Sequence, residues 1–161
     1  MTKQTIEAYR ITYEELQQLQ YYLSNRIELR GVFNQKNRTL PPIRELALQN
    51  EDLEDIIIIP AGSPGQATKV WEDEKIPLFG GILKIRVCFD AIATNCENQY
   101  LTFRPDQNGM YKLEIRPWDN AVIYYDKKYN CIGCANTYLY VPVKMINRFI
   151  QRRRVLSGRK Y

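Results

Sequence analysis

The sequence predicts an α+β fold, an antiparallel β-meander of about five strands packed with an N-terminal capped helix and a C-terminal basic helix. Three observations carry that prediction. A capping box, Thr12-x-x-Glu15, opens a stretch in which Leu16, Leu19, Leu23 and Ile27 recur at spacings of three and four, so they line one helical face. From Gly80-Gly81 onward the pattern changes to alternation of apolar and polar residues, broken by turn signals. Length sets the frame: 161 residues suffice for one domain with a real core and are too few for two.

In chain order, residues 5–11 alternate as a short strand. The helix from Thr12 runs to Arg30, and Gly31 stands where a left-handed terminator belongs. Residues 32–41 form a loop, after which Pro41-Pro42 opens a shorter helix through Ile43, Leu46 and Leu48. The acidic cluster Glu51, Asp52, Glu54 and Asp55 precedes a core strand of four isoleucines closed by Pro60. The chain is thus one domain over 1–161: strand, helix, helix and short strand over 1–59, a long Pro/Gly loop over 60–79, the meander over 80–143, and a basic helix and tail over 144–161.

Within the meander, strand 82–89 sends Leu83, Ile85, Val87 and Phe89 to one face and Lys84, Arg86 and Cys88 to the other. Strand 99–104 turns Leu101 and Phe103 inward and Tyr100, Thr102 and Arg104 outward. Asn108-Gly109 supplies the positive φ values of a tight hairpin turn. Strand 110–117 buries Tyr111, Leu113 and Ile115 and exposes Lys112, Glu114 and Arg116. Strand 121–126 follows, residues 127–130 turn the chain, strand 137–143 comes after the cysteine pair, and a helix over about 143–156 closes the domain.

The chain contains no histidine. Ser-His-Asp and Cys-His triads, H-E-x-x-H metal sites and every imidazole base are therefore excluded. Cys131-Ile-Gly-Cys134 has a spacing that lets two thiolates reach one zinc ion, but Cys88 and Cys96 do not form the second knuckle. With no hydrophobic leader at the N-terminus, four cysteines point to free thiols in a reducing, cytoplasmic setting. Pro105-Asp106 followed by Glu114-Ile115-Arg116 resembles the PD-(D/E)xK pattern of metal-dependent nucleases. It departs from that family in carrying Arg116 for the lysine, and its two carboxylates lie more than about 10 Å apart along the strands. Tyr124-x-x-x-Lys128 lacks the glycine-rich dinucleotide unit that its spacing would serve, and Gly62-Ser-Pro-Gly65 lacks the Gly-Lys-Ser/Thr of a phosphate loop. No catalytic residue and no cofactor is expected.

Charge is distributed unevenly. Residues 127–161 hold nine cations and no Asp or Glu, including Lys144, Arg148, Arg152, Arg153, Arg154, Arg159 and Lys160. The first 126 residues carry a net charge of −4. Helix-dipole complementarity accounts for part of this segment, and the remainder suits phosphates or an acidic protein surface. Lys84, Arg86, Arg104, Lys112 and Arg116 share the outward parity of neighbouring strands, with Tyr100 among them and Tyr138 or Tyr140 nearby.

The sequence favours a non-catalytic interaction or structural subunit of a larger assembly, of a size common in phage and plasmid accessory proteins. Its twelve tyrosines and two tryptophans suit protein contacts, and the basic C-terminal segment would meet an acidic partner or nucleic acid. The alternatives are a sequence-tolerant nucleic-acid-binding protein that uses the basic, aromatic sheet face, and a small-ligand module with loop 60–79 as a lid. A homo-oligomer is compatible with the same composition. No membrane partner is expected, because no apolar stretch approaches 18–20 residues.

Overall fold

A computed structural model of the chain describes residues 1–33, 53–73, 81–91 and 96–147. Among them, two short helices, α1 (Lys3–Tyr9) and α2 (Tyr13–Gln18), precede ten strands. These are β1 (Gln20–Leu23), β2 (Ile27–Phe33), β3 (Leu53–Ile59), β4 (Pro64–Asp73), β5 (Ile82–Cys88), β6 (Leu101–Pro105), β7 (Tyr111–Leu113), β8 (Ala121–Tyr124), β9 (Lys127–Ile132) and β10 (Leu139–Tyr140). The architecture is mostly antiparallel sheet, and no helix among the described residues is long and apolar enough to cross a membrane.

Six strands form one sheet in the order β10-β1-β4-β5-β6-β7, and four form another in the order β3-β2-β9-β8. The larger sheet curls until its ends meet. Lys112 of β7 bridges Tyr138, just before β10, and the Leu113 N–H donates to the Thr137 carbonyl at 3.1 Å. Thr2 bridges Met110 beside this seam, and the Met1 amino group donates to the Leu139 carbonyl at 3.0 Å. These contacts join the two end strands, while β1 covers β4 only at Pro64, Gly65 and Gln66. Its interior is filled by Tyr21, Leu23, Val70, Ile85, Val87, Leu101, Phe103, Tyr111 and Leu139, in one continuous core with Ile27, Leu29 and Tyr129 of the smaller sheet.

The N-terminal third departs from expectation. Residues 5–11 are not a strand: the Thr2 hydroxyl accepts from the Thr5 N–H and starts α1, which Arg10 ends in the left-handed region at φ 49°. The capping box at Thr12 and Glu15 forms with both reciprocal hydrogen bonds, yet α2 stops at Gln18 instead of running to Arg30. Leu19, Tyr21 and Leu23 are all buried, which is a period of two that the three-and-four spacing of the leucines concealed. Gly31 ends no helix. It lies mid-strand in β2, opposite Asp55 of β3.

Within 60–79, residues 60–63 make a turn that carries the chain from β3 in one sheet to β4 in the other, and 64–73 are a ten-residue strand rather than a loop. Residues 127–130 are not a turn but part of β9. The turn lies one step earlier, at Tyr125 and Asp126, with φ of 52° and 56°. The predicted five-strand meander is therefore too few strands, and its members divide between the two sheets. Strand 137–143 shortens to two residues, and strand 110–117 is regular only over β7.

Free thiols are also corrected. Cys88 pairs with Cys96 and Cys131 with Cys134, leaving no free cysteine. Residues 143–147 are helical, and the remainder of the helix predicted over 143–156, from Arg148 onward, lies outside the described residues. So does the helix predicted from Pro41-Pro42.

Candidate functional site

Alternation along four successive antiparallel strands decides which side chains share the outer face of the closed sheet. Register sets Lys69 opposite Arg86 and Trp71 opposite Lys84 across β4 and β5. Arg86 in turn lies opposite Thr102, and Arg104 opposite Lys112. A basic band with aromatic rings therefore crosses the sheet.

Its centre is Arg86. The guanidinium carbon sits 4.0 Å from the Tyr100 ring centroid and 5.1 Å from that of Trp71, which also carries Lys69 at 5.5 Å. Guanidinium groups are attracted to ring faces, so Tyr100 and Trp71 fix Arg86 in place without neutralising it. After β7 the chain leaves the sheet. The Arg116 N–H donates to the Ala121 carbonyl at 2.9 Å, folding residues 114–123 back as a wall. Between wall and sheet lies a groove of about 470 Å³, lined by Arg86, Tyr100, Thr102, Arg104, Arg116 and Trp118 among others. Trp118 is 76% exposed and has the Arg116 guanidinium 5.9 Å from its ring centroid.

Three polar atoms in and beside this groove are unpaired among the described residues, including the acceptor Asp119 Oδ1. The Nε atoms of Arg86 and Arg116 are both out of solvent and have no hydrogen-bond partner among the described residues. The guanidinium groups of Arg86, Arg104 and Arg116 along the groove suit an anion that supplies acceptor oxygens. Arg116 also contacts Asp119 at 3.6 Å, and Asp119 is held by Lys128. The Lys128 hydrogen bond, helped by the Arg116 charge, keeps the Asp119 carboxyl below its ordinary pKa. Arg104 is exposed and has no acidic partner among the described residues.

Sequence parity located Arg86, Tyr100, Arg104 and Arg116, and the fold brings all four into one groove. Lys84 is different. Its side chain is 14% exposed and lies between Asp73 at 3.0 Å and Glu114 at 2.9 Å. Desolvation alone would lower its pKa, but the two carboxylates outweigh this and raise it, so the charge is retained and already balanced. Lys112 pairs with Asp106 at 3.2 Å beyond the groove. Tyr140 stacks on Tyr22 at 5.4 Å, on the β1–β10 side of the sheet. Arg148, Arg152, Arg153, Arg154, Arg159 and Lys160 lie outside the described residues.

Cys131 and Cys134 are bonded to each other and buried, so neither thiolate is available to zinc in this state. Among the described residues there is no group of three or more Cys, Asp or Glu placed to hold a metal. Asp106 and Glu114, the carboxylates of the nuclease-like pattern, are engaged by different lysines. Sequence reasoning missed Lys69 and the placement of Trp71 and Trp118. Reading 60–79 as a loop removed the register that sets Lys69 opposite Arg86 and brings the Trp71 ring beside it. Trp118 enters the groove through a reversal of the chain that no local pattern marks. No family model matches the chain, nor does any curated protein or solved structure.

Proposed function

We propose that this chain is a non-catalytic binding protein whose groove takes single-stranded nucleic acid. The observation that carries the reading is the convergence of Arg86, Arg104 and Arg116 with the rings of Tyr100 and Trp118 along one open groove. Guanidinium groups supply forked N–H donors for phosphate oxygens, and an exposed indole offers a face for a base. Both kinds of contact tolerate sequence, because every nucleotide has a phosphate and a π-face. The nine cations of residues 127–161 would extend the backbone contact and steer association.

Anisotropy of a labelled oligothymidine across a salt series tests this. Binding is expected to weaken steeply with salt, and Arg104→Ala is expected to lower the salt slope by about 0.7. Trp118→Ala should cost about 1–3 kcal/mol with little change in that slope. Absence of binding at low salt, or binding indifferent to Arg86→Ala, Arg104→Ala and Trp118→Ala, refutes the groove as the site.

A second reading rests on the charge asymmetry. The basic C-terminal segment would dock a subunit of a larger assembly onto an acidic protein surface. It predicts that replacing Arg152, Arg153 and Arg154 with alanine abolishes capture of one stoichiometric protein while the groove variants leave it intact. The lid reading of 60–79 has lost its basis, since residues 64–73 are a strand of the closed sheet.

A further inference from the structure

The two sheets treat their edges differently. In the larger sheet the two end strands meet at the Lys112–Tyr138 bridge. In the smaller sheet Arg116 bridges Ala121, the first residue of the edge strand β8. Its other edge, β3, pairs only with β2 among the described residues, through seven consecutive positions without a bulge. A strand edge in this state presents a row of N–H and C=O groups ready for another strand.

The composition of β3 protects that edge only near its N-terminal end, where the Asp55 carboxylate points inward and accepts from Tyr129. Leu53–Ile59 contains no lysine, arginine or proline, and its two acids, Glu54 and Asp55, are confined to the N-terminal half. The C-terminal half is four isoleucines, of which Ile56 and Ile58 are 45% and 49% exposed. Ile132 lies on the same face, separated from Ile58 by Glu28 of β2. Protected edges normally carry an inward charge, a proline or a bulge, and β3 has none of these after Asp55.

We propose that a second copy of this chain pairs along β3, antiparallel and about a two-fold axis, joining the two smaller sheets into one. An antiparallel strand is its own complement, because residue i then meets j and j meets i. Charge selects the register. Centring the axis on Ile57 sets Ile56 opposite Ile58 of the second copy and Asp55 opposite Ile59. The two Asp55 carboxylates are then about 14 Å apart, beyond the screening length of about 8 Å at physiological salt. A parallel pairing would instead stack acid on acid. In the antiparallel register the exposed isoleucines of both copies become cross-strand neighbours on one face. Pro60, which has no N–H to donate, marks where the pairing ends.

Sedimentation of the full chain over a roughly hundredfold concentration range tests the proposal. The expected result is twice the mass of one chain at high concentration, falling to one on dilution. Ile56→Lys/Ile58→Lys, two outward-facing changes, should give a monomer with an unchanged far-ultraviolet spectrum. Ile123→Lys, an equally exposed change on the opposite edge strand, should leave the dimer intact. Should the double variant misfold, amide exchange in the wild type decides the matter: protection of residues 55–59 should rise with concentration. A wild type that stays monomeric throughout, a dimer that survives the double variant, or a dimer lost in Ile123→Lys overturns it.

Discussion

At Gly31 the space of a missing side chain is filled by the Tyr129 ring. A Cβ built there would lie 2.8 Å from the ring, and the Tyr129 hydroxyl reaches past it to donate to Asp55 at 2.7 Å. One tyrosine on β9 thus spans β2 to β3, and it is buried. Gly31→Ala is expected to destabilise the protein by about 1–3 kcal/mol, because the ring has to move and its hydrogen bond moves with it. Tyr129→Phe keeps the packing and should cost only about 1 kcal/mol. Urea unfolding of both variants checks the order, and equal losses would mean that the ring does not pack over Gly31. The groove shows the same dependence on single contacts. Arg86 remains a free charge because its neighbours are rings, whereas Lys84, of the same outward parity, is balanced by two carboxylates. Parity predicted both as exposed cations, and only side-chain neighbours separate them.

Elements were legible where a local chemical device defines them. The Thr12 cap, the Asn108-Gly109 turn and the isoleucine strand all depend on residues near one another in sequence, and all three form. Element type failed where two periods overlapped. The Leu16–Ile27 leucine spacing satisfies a helix, but Tyr21 between Leu19 and Leu23 satisfies a strand, and pairing with β4 and β10 decides for the strand. β4 was missed because its Pro/Gly start resembles a loop, although Gly65 is held close under Val87 and Phe89. The cysteines were misjudged for a related reason. Spacing alone did not show that Cys88 and Cys96 come within 6.1 Å between Cα atoms, or Cys131 and Cys134 within 5.8 Å. Intact-mass measurement under non-reducing conditions is expected to show four hydrogens fewer than after reduction, with peptide mapping assigning these two pairs. Alkylation of any cysteine in the native, unreduced chain would contradict the pairing.

For the molecule as a whole, closure of the larger sheet concentrates tyrosines in the interior. Burial raises the pKa of Tyr21 and Tyr111 well above the ordinary 10.0. Burial, followed by the hydrogen bond to Asp55, does the same for Tyr129, and burial pushes Tyr124 up to about 12. The folded state therefore favours the neutral phenols. Their contribution to stability is fully present below pH 10.0 and is lost as pH rises through the raised folded values. Tyrosinate absorbance is expected to rise in two stages, exposed rings first and the buried set together with unfolding. A single smooth titration of all twelve tyrosines at neutral-like stability would refute that burial.

The sequence by itself determined the antiparallel character, the inward and outward parity of β5 and β6, the absence of imidazole chemistry and the basic C-terminal segment. Each follows from composition or from a period read within a few residues. Tertiary structure decided the rest: closure of the six-stranded sheet, the division into two sheets, the pairing of the cysteines and the convergence of Arg86, Arg104, Arg116 and Trp118. These depend on contacts between residues far apart in the chain, such as Lys112 with Tyr138 and β1 with β4. No local period encodes such a meeting, because its free energy comes from core burial shared by all the strands at once.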